Sequence, residues 1–173
     1  MRLKFMRFSQ FFQVTMCSLL FCAGNLIAQG QSGELLHKTA PEFVRADLSG
    51  RSIDLKAYRG KVVLLNFWAT WCASCQVELP RFAAWQRDYG SEGLQIIAVS
   101  MDDDATPVRA RARRLELNFP VLMGDAKLGT EYGGVLGLPV TFLIDRNGVI
   151  VRKIKGATDL TKMKSQVKEL LLN

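Results

Sequence analysis

Two cysteines separated by two residues, Cys72 and Cys75, stand in the stretch KVVLLNFWATWCASCQVELP that covers residues 61–80. A thiolate attacks a disulfide sulfur, and a second thiol close by releases whatever the first has caught, so a pair at this spacing is suited to thiol–disulfide exchange. Glu78 follows Cys75 by three positions, where a carboxyl group can move a proton to or from Cys75. Each feature also has a plainer reading. Half of a zinc site needs further N or S ligands, and the candidates Cys17, Cys22 and His37 lie in or near an amino-terminal segment expected to be removed or mobile. A haem-attachment motif needs histidine after the second cysteine, where Gln76 stands. Glu78 can also be a solvated helix carboxylate.

The groups are positioned by a change of structure at Cys72. Val62, Val63, Leu64 and Leu65 form an apolar run of strand length, and the segment after Cys72 reads as a helix to about Tyr89, so the cysteines sit at the turn between them. The first turn of a helix offers unpaired backbone N–H groups and the positive end of the dipole, both favouring thiolate. Cys72 is therefore the candidate nucleophile and the more exposed sulfur. Cys75, one turn away on the same face, is the candidate resolving thiol. Glu78 lies one turn further, approaching from the buried side. Pro80 cannot donate to the carbonyl of Gln76, and a kink is expected near it.

Residues 94–100 read as a second buried strand, and strand, helix and strand in that order imply a parallel pair with a right-handed crossover. The cysteines then fall at the carboxyl edge of the sheet, where open α/β folds place their sites. Before the core, residues 43–48 and 52–55 read as a hairpin across Ser49-Gly50. After it, Thr106-Pro107 starts a helix to about Leu117, whose Arg109, Arg111, Arg113 and Arg114 read as a solvated face. Phe119 to Leu122 is a short extended piece, and residues 102–123 form an inserted unit. Asp125 caps a helix ending near Tyr132. Pro139 stands before the apolar strand 140–144, a position suited to a strand start. A cis Leu138–Pro139 bond would turn the Leu138 backbone outward toward an extended peptide. Asn147-Gly148 signals a hairpin into residues 149–151. A last helix over 159–172 spaces Leu160, Met163, Val167, Leu170 and Leu171 for one apolar face.

The 173 residues are 49% apolar, which suits one globular domain. Arg2, Lys4 and Arg7 precede an apolar run over 8–23 and small residues up to Ala28, the pattern of a secretory signal peptide over 1–28. A flexible lead over 29–39 follows, holding the single His37 as an exposed tail residue, and the domain occupies 40–173. The alternatives are an uncleaved anchor, against which Gln10 and Gln13 count, and lipid attachment at Cys22, against which the bulky Phe21 counts. Cleavage would leave Cys72 and Cys75 as the remaining cysteines, so an exported protein would carry its thiols for reaction. It would also lower the net charge from +7 to +4, too mild to argue for nucleic acid.

With these elements in order, the chain resembles the exported TlpA/ResA-type thiol–disulfide oxidoreductases of the thioredoxin fold, within the AhpC/TSA–Redoxin superfamily. The resemblance runs from about Ala40-Pro41-Glu42-Phe43 to the end. It rests on residues 60–75 (GKVVLLNFWATWCASC), on Glu78-Leu79-Pro80, and on residues 137–145 (GLPVTFLID). It implies a central mixed sheet flanked by helices, an N-terminal β-hairpin, and a βα-type insert after the second core strand. It further implies that Pro139 is cis and packs over the cysteine pair, and that Glu78 is the active-site acid. Three departures stand out. Ala73-Ser74 replaces a commonly proline-containing dipeptide, Asn66 occupies the place of a buried aspartate, and Gly133-Gly134 makes the approach to Pro139 one residue longer.

The expected activity is reduction of disulfides in exported proteins, of the cytochrome c maturation kind: Cys72 attacks, Cys75 resolves, Glu78 assists Cys75, and Trp71, Leu138 and Pro139 form the docking surface. No cofactor or metal is expected. The resemblance implies a membrane thiol carrier of the DsbD or CcdA kind as electron donor. The rival within redox chemistry is oxidation or isomerisation of disulfides, since direction depends on potential. Peroxide reduction calls for threonine three residues before a lone reactive cysteine, and Thr70 is two before Cys72. A copper-binding assembly module calls for wider cysteine spacing and a distal histidine.

Overall fold

A computed structural model of the protein describes residues 35–173; the signal-peptide reading of 1–28, with Cys17 and Cys22, lies outside them. The central element is β3 (Val62–Trp68), whose seven residues are all buried. A strand apolar at every position but Asn66 is what a place covered on both faces requires. Its neighbours are β4 (Leu94–Ser100), parallel, and β6 (Val140–Ile144), antiparallel. Two edge strands complete the sheet in the order β5-β4-β3-β6-β7: β5 (Val121–Met123), parallel to β4, and β7 (Ile150–Lys155), antiparallel to β6.

Successive side chains of β3 point to opposite faces, so one strand feeds two cores. Val62, Leu64 and Trp68 pack with Leu79, Phe82 and Trp85 of α1 (Ala73–Tyr89), Val108 of α2 (Ala105–Arg114), and Met163 and Val167 of α4 (Leu160–Leu172). Val63, Leu65 and Phe67 pack with Phe43, Ile53, Phe142, and Leu128 of α3 (Ala126–Glu131), with Tyr132 just after that helix. The Tyr132 ring lies 5.2 Å from that of Phe67 and 5.1 Å from that of Phe142, at tilted and edge-on angles.

The amino-terminal hairpin is β1 (Val44–Ala46) against β2 (Ser52–Asp54), with a 3-10 turn at Leu55–Tyr58 leading to β3. Asp47 ties it to the main sheet: it bridges Leu122, and the Leu48 amide donates to the Val121 carbonyl at 2.9 Å. The unit over 102–123 does not stand apart from the sheet. Its strand β5 is the sheet's edge, so β4, α2 and β5 form a second parallel crossover. Helix α2 begins at Ala105, capped by the Asp104 side chain on the Thr106 amide, and ends at Arg114, earlier than Leu117. Pro107 is its third residue, where the missing N–H is one that no helical carbonyl would have used.

Helix α1 runs unbroken through Pro80, which faces solvent. The residues 35–39, read as the end of a flexible lead, are bound to the domain. The His37 amide donates to the Ile150 carbonyl at 2.8 Å, the Ile150 amide to Lys38 at 2.9 Å, and Thr39 bridges Val149. His37 itself is exposed, with φ at 63°.

Candidate active site

The carboxyl ends of β3 and β4 and the amino end of β6 meet at one edge of the sheet, because Phe67 is paired with Val140 and Trp68 with Ser100. Beyond Trp68 the chain turns, and Cys72 becomes the N-cap of α1 with φ −85° and ψ 106°. Its Sγ accepts the Cys75 amide at 3.3 Å, so the sulfur occupies the place where a serine or aspartate oxygen would cap the helix. The two sulfurs are joined as a disulfide, with the Cα atoms 5.3 Å apart. Cys72 is 6% exposed and Cys75 1%, the order the helix geometry requires. The Ser74 hydroxyl adds a second polar contact, 3.6 Å from the Cys72 sulfur. Once the pair is reduced, the amide and the hydroxyl both favour negative charge on Cys72.

Glu78 is not a solvated carboxylate: it is 3% exposed, and neither carboxyl oxygen has a hydrogen-bond partner. Burial pushes its carboxyl from the ordinary 4.5 up to about 7, because nothing around it compensates the lost hydration of the charged form. The indole Nε1 of Trp68 is likewise buried without a partner. A carboxyl poised near neutrality, two turns into α1 on the face of Cys75, can take up or release a proton under physiological conditions. Asn66 has no such capacity, and its Nδ2 donates to the Thr141 hydroxyl at 2.9 Å, linking β3 to β6.

The Leu138–Pro139 bond is cis. Pro139 is buried at the start of β6, on the same sheet edge as the cysteines, and its carbonyl accepts the Gly156 amide at 2.8 Å. Leu138 is half-buried and packs against both cores, whereas Trp71 is 70% exposed. Leu136, in the approach to the proline, is also exposed. Among the described residues no group of three or more His, Cys, Asp or Glu side chains is arranged to hold a metal ion.

Two further residues, Asp102 and Gln76, hold the loop that carries Trp71. The Asp102 carboxylate accepts the Thr70 amide at 2.9 Å, the Thr70 hydroxyl at 2.5 Å and the Ser100 hydroxyl at 2.6 Å. The Gln76 side chain donates to the carbonyls of Ala69 at 3.2 Å and Thr70 at 3.3 Å, and its Oε1 accepts from Arg111. Apart from the short-range Ser100–Asp102 bond, the sequence carries no local signal for these contacts, since the partners lie between 6 and 35 residues away.

A Cys72–Cys75 disulfide at a helix start, on the same edge of a five-stranded mixed sheet as a cis-proline, defines the class: a thiol–disulfide oxidoreductase of the thioredoxin fold. The chain belongs to the AhpC/TSA family, whose profile matches residues 36–153. It is 36% identical over 133 residues to the thiol-disulfide oxidoreductase ResA of Bacillus thuringiensis subsp. konkukian (strain 97-27), covering 77% of each chain. To ResA of Bacillus subtilis (strain 168) it is 33% identical over 143 residues, covering 83% of this chain and 80% of the relative. A crystal structure of a putative thiol:disulfide interchange protein DsbE from Chlorobium tepidum superposes with a TM-score of 0.71 at 30% identity, covering 77% of this chain and 95% of that one.

Proposed function

We propose that the protein is an extracytoplasmic reductant of protein disulfides, of the kind that serves cytochrome c maturation. The observation that carries this reading is the Cys72 sulfur capping α1, with the buried carboxyl of Glu78 two turns along the same helix. In the reduced protein the Cys72 thiolate bonds to one sulfur of a substrate disulfide, and the other substrate sulfur leaves as a thiolate. The Cys75 thiol gives its proton to the Glu78 carboxylate and attacks the Cys72 sulfur. The first substrate sulfur then leaves, the substrate has gained two electrons, and Cys72 and Cys75 are left as the disulfide. Trp71, Leu138 and Pro139 border the place where the substrate chain lies.

A second dithiol must restore the pair, and a membrane thiol carrier of the DsbD or CcdA kind fits the export signal read in residues 1–28. The disulfide-bearing partners are other exported proteins. Cys75→Ser tests the assignment, because a mixed disulfide on Cys72 can no longer be resolved. Substrates should then accumulate covalently on Cys72, and an unreactive Cys72 in that variant would reject the role. The equilibrium of the pair against glutathione fixes direction: a strongly reducing potential is expected, and a mild one would favour the oxidase or isomerase reading.

A further inference from the structure

The four arginines of α2 do not share one environment. Pro107, Ala110, Arg111 and Arg114 recur at the spacing of a single helix face, and with Thr70 and Trp71 they line an open groove of about 370 Å³. Arg109 and Arg113 lie on another face and line a separate cleft of about 330 Å³ against the hairpin. Val108 points into the core. The helical period thus divides a run that reads in sequence as one solvated face, and it delivers two cations to the side of Trp71, the residue before Cys72.

That groove has an apolar wall of Trp71, Pro107 and Ala110 and a basic end. No carboxylate lines it. Arg111 makes its contact with the neutral Oε1 of Gln76, and among the described residues neither Arg111 nor Arg114 is in an ion pair. Of the acids around this end of the sheet, Asp102 is hydrogen-bonded to Thr70 and Ser100, Asp104 caps α2 about 10 Å along the axis from Arg111, Glu116 lines the other cleft, and the exposed Asp103 does not line the groove. Two guanidinium groups without counter-charge, set beside exposed apolar surface, are suited to carboxylates.

We infer that this groove receives acidic residues flanking the disulfide cysteine of a protein substrate, so that Arg111 and Arg114 select acidic over basic neighbours of the sulfur under attack. The inference rests on the reading of Cys72 as the attacking thiolate. The groove binds; the electrons come from the Cys72/Cys75 dithiol, which ends as a disulfide while the substrate sulfurs end as two thiols. A volume in the range of small-ligand clefts suits a short extended segment.

The test uses the reduced protein and two peptide disulfides that differ only in carrying Asp or Lys on either side of the cysteine, with neutral hydroxyethyl disulfide as a third substrate. The acidic peptide should react about five-fold faster than the basic one at low salt, and the ratio should shrink as salt is added. The ratio should fall toward one in Arg114→Gln and invert in Arg114→Glu. It should hold in Arg113→Gln, which removes the same charge from the other face of α2. Equal rates for the two peptides, or an equal loss of the ratio in Arg113→Gln, would overturn the inference while reduction of hydroxyethyl disulfide by the unaltered protein upholds the dithiol reading. Failure to reduce hydroxyethyl disulfide would overturn both.

Discussion

The Sγ of Cys72 lies 3.6 Å from the hydroxyl oxygen of Ser74, within the first turn of the helix that the sulfur itself caps. A hydroxyl there donates to a thiolate, so the Ala73-Ser74 dipeptide contributes a charge-stabilising contact that a proline-containing dipeptide at this place would not supply. Removing it should leave the fold intact and the nucleophile weaker. Ser74→Ala is expected to lower the thiolate population of Cys72 below neutral pH, and to slow its alkylation by iodoacetamide by about three-fold. An unchanged alkylation profile would mean that the Cys75 amide alone sets the charge.

Glu78 gives the protein a pH dependence of predictable sign. Its carboxyl is held at about 7 in the folded state against 4.5 ordinarily, so the folded state binds more protons than the unfolded state between those values. Stability is therefore greatest below about pH 4.5 as far as this group is concerned, and it is lost as pH rises through 7. Glu78→Gln removes the titration. Denaturant midpoints at about pH 5 and pH 8 should show the unaltered protein losing up to about 3 kcal/mol relative to the variant. Parallel behaviour of the two proteins would show that the buried carboxyl is not pushed up.

The fold was largely readable because its signals are local. The apolar run at 62–65, the strand pattern at 94–100, the turn at Asn147-Gly148 and the capping Asp125 each act within a few residues, and the elements form where those signals place them. Cys72, Cys75 and Glu78 share a helix, so spacing alone places them. The burial of Glu78 was less accessible, since it depends on what covers that face of α1. The grouping of Trp71 with Arg111 and Arg114 could not be read at all, because it depends on how α2 docks beside the β3–α1 turn. The binding of residues 35–39 to the domain is out of reach for the same reason: the backbone hydrogen bonds of His37 and Lys38 go to Ile150 of β7, more than a hundred residues away.

The hairpin stands on one carboxylate. Asp47 accepts the amides of Ser49 at 2.8 Å and Arg51 at 2.9 Å, the Ser49 hydroxyl at 2.6 Å, and the Arg51 guanidinium. Burial by itself would raise this carboxyl, but the hydrogen bonds from Ser49 and Arg51 outweigh it and hold the group down at about 2. A depressed carboxyl contributes stability that is present above about pH 4 and lost as pH falls toward 2. Asp47→Asn should cost about 1–2 kcal/mol at neutral pH, the figure being reduced by the exposure of Arg51, and the difference should vanish in acid. Acid titration of both proteins in urea checks it, and a difference independent of pH would assign the loss to packing.

Gln76 separates two roles that a single deletion would merge. Its Nε2 donates to the carbonyls of Ala69 and Thr70, holding the loop that presents Trp71, while its Oε1 faces Arg111. Gln76→Ala loses both contacts, whereas Gln76→Glu keeps an acceptor for Arg111 and loses the donors to the loop. If the loop contacts matter for substrate reduction, both variants should slow reaction with a peptide disulfide, by about five-fold for the loss of two hydrogen bonds worth about 1 kcal/mol in sum. Amide exchange in the loop around Trp71 should quicken in both. If the contact with Arg111 matters as well, Gln76→Glu should in addition weaken the preference for acidic peptides by supplying Arg111 with a carboxylate of its own, and Gln76→Ala should not.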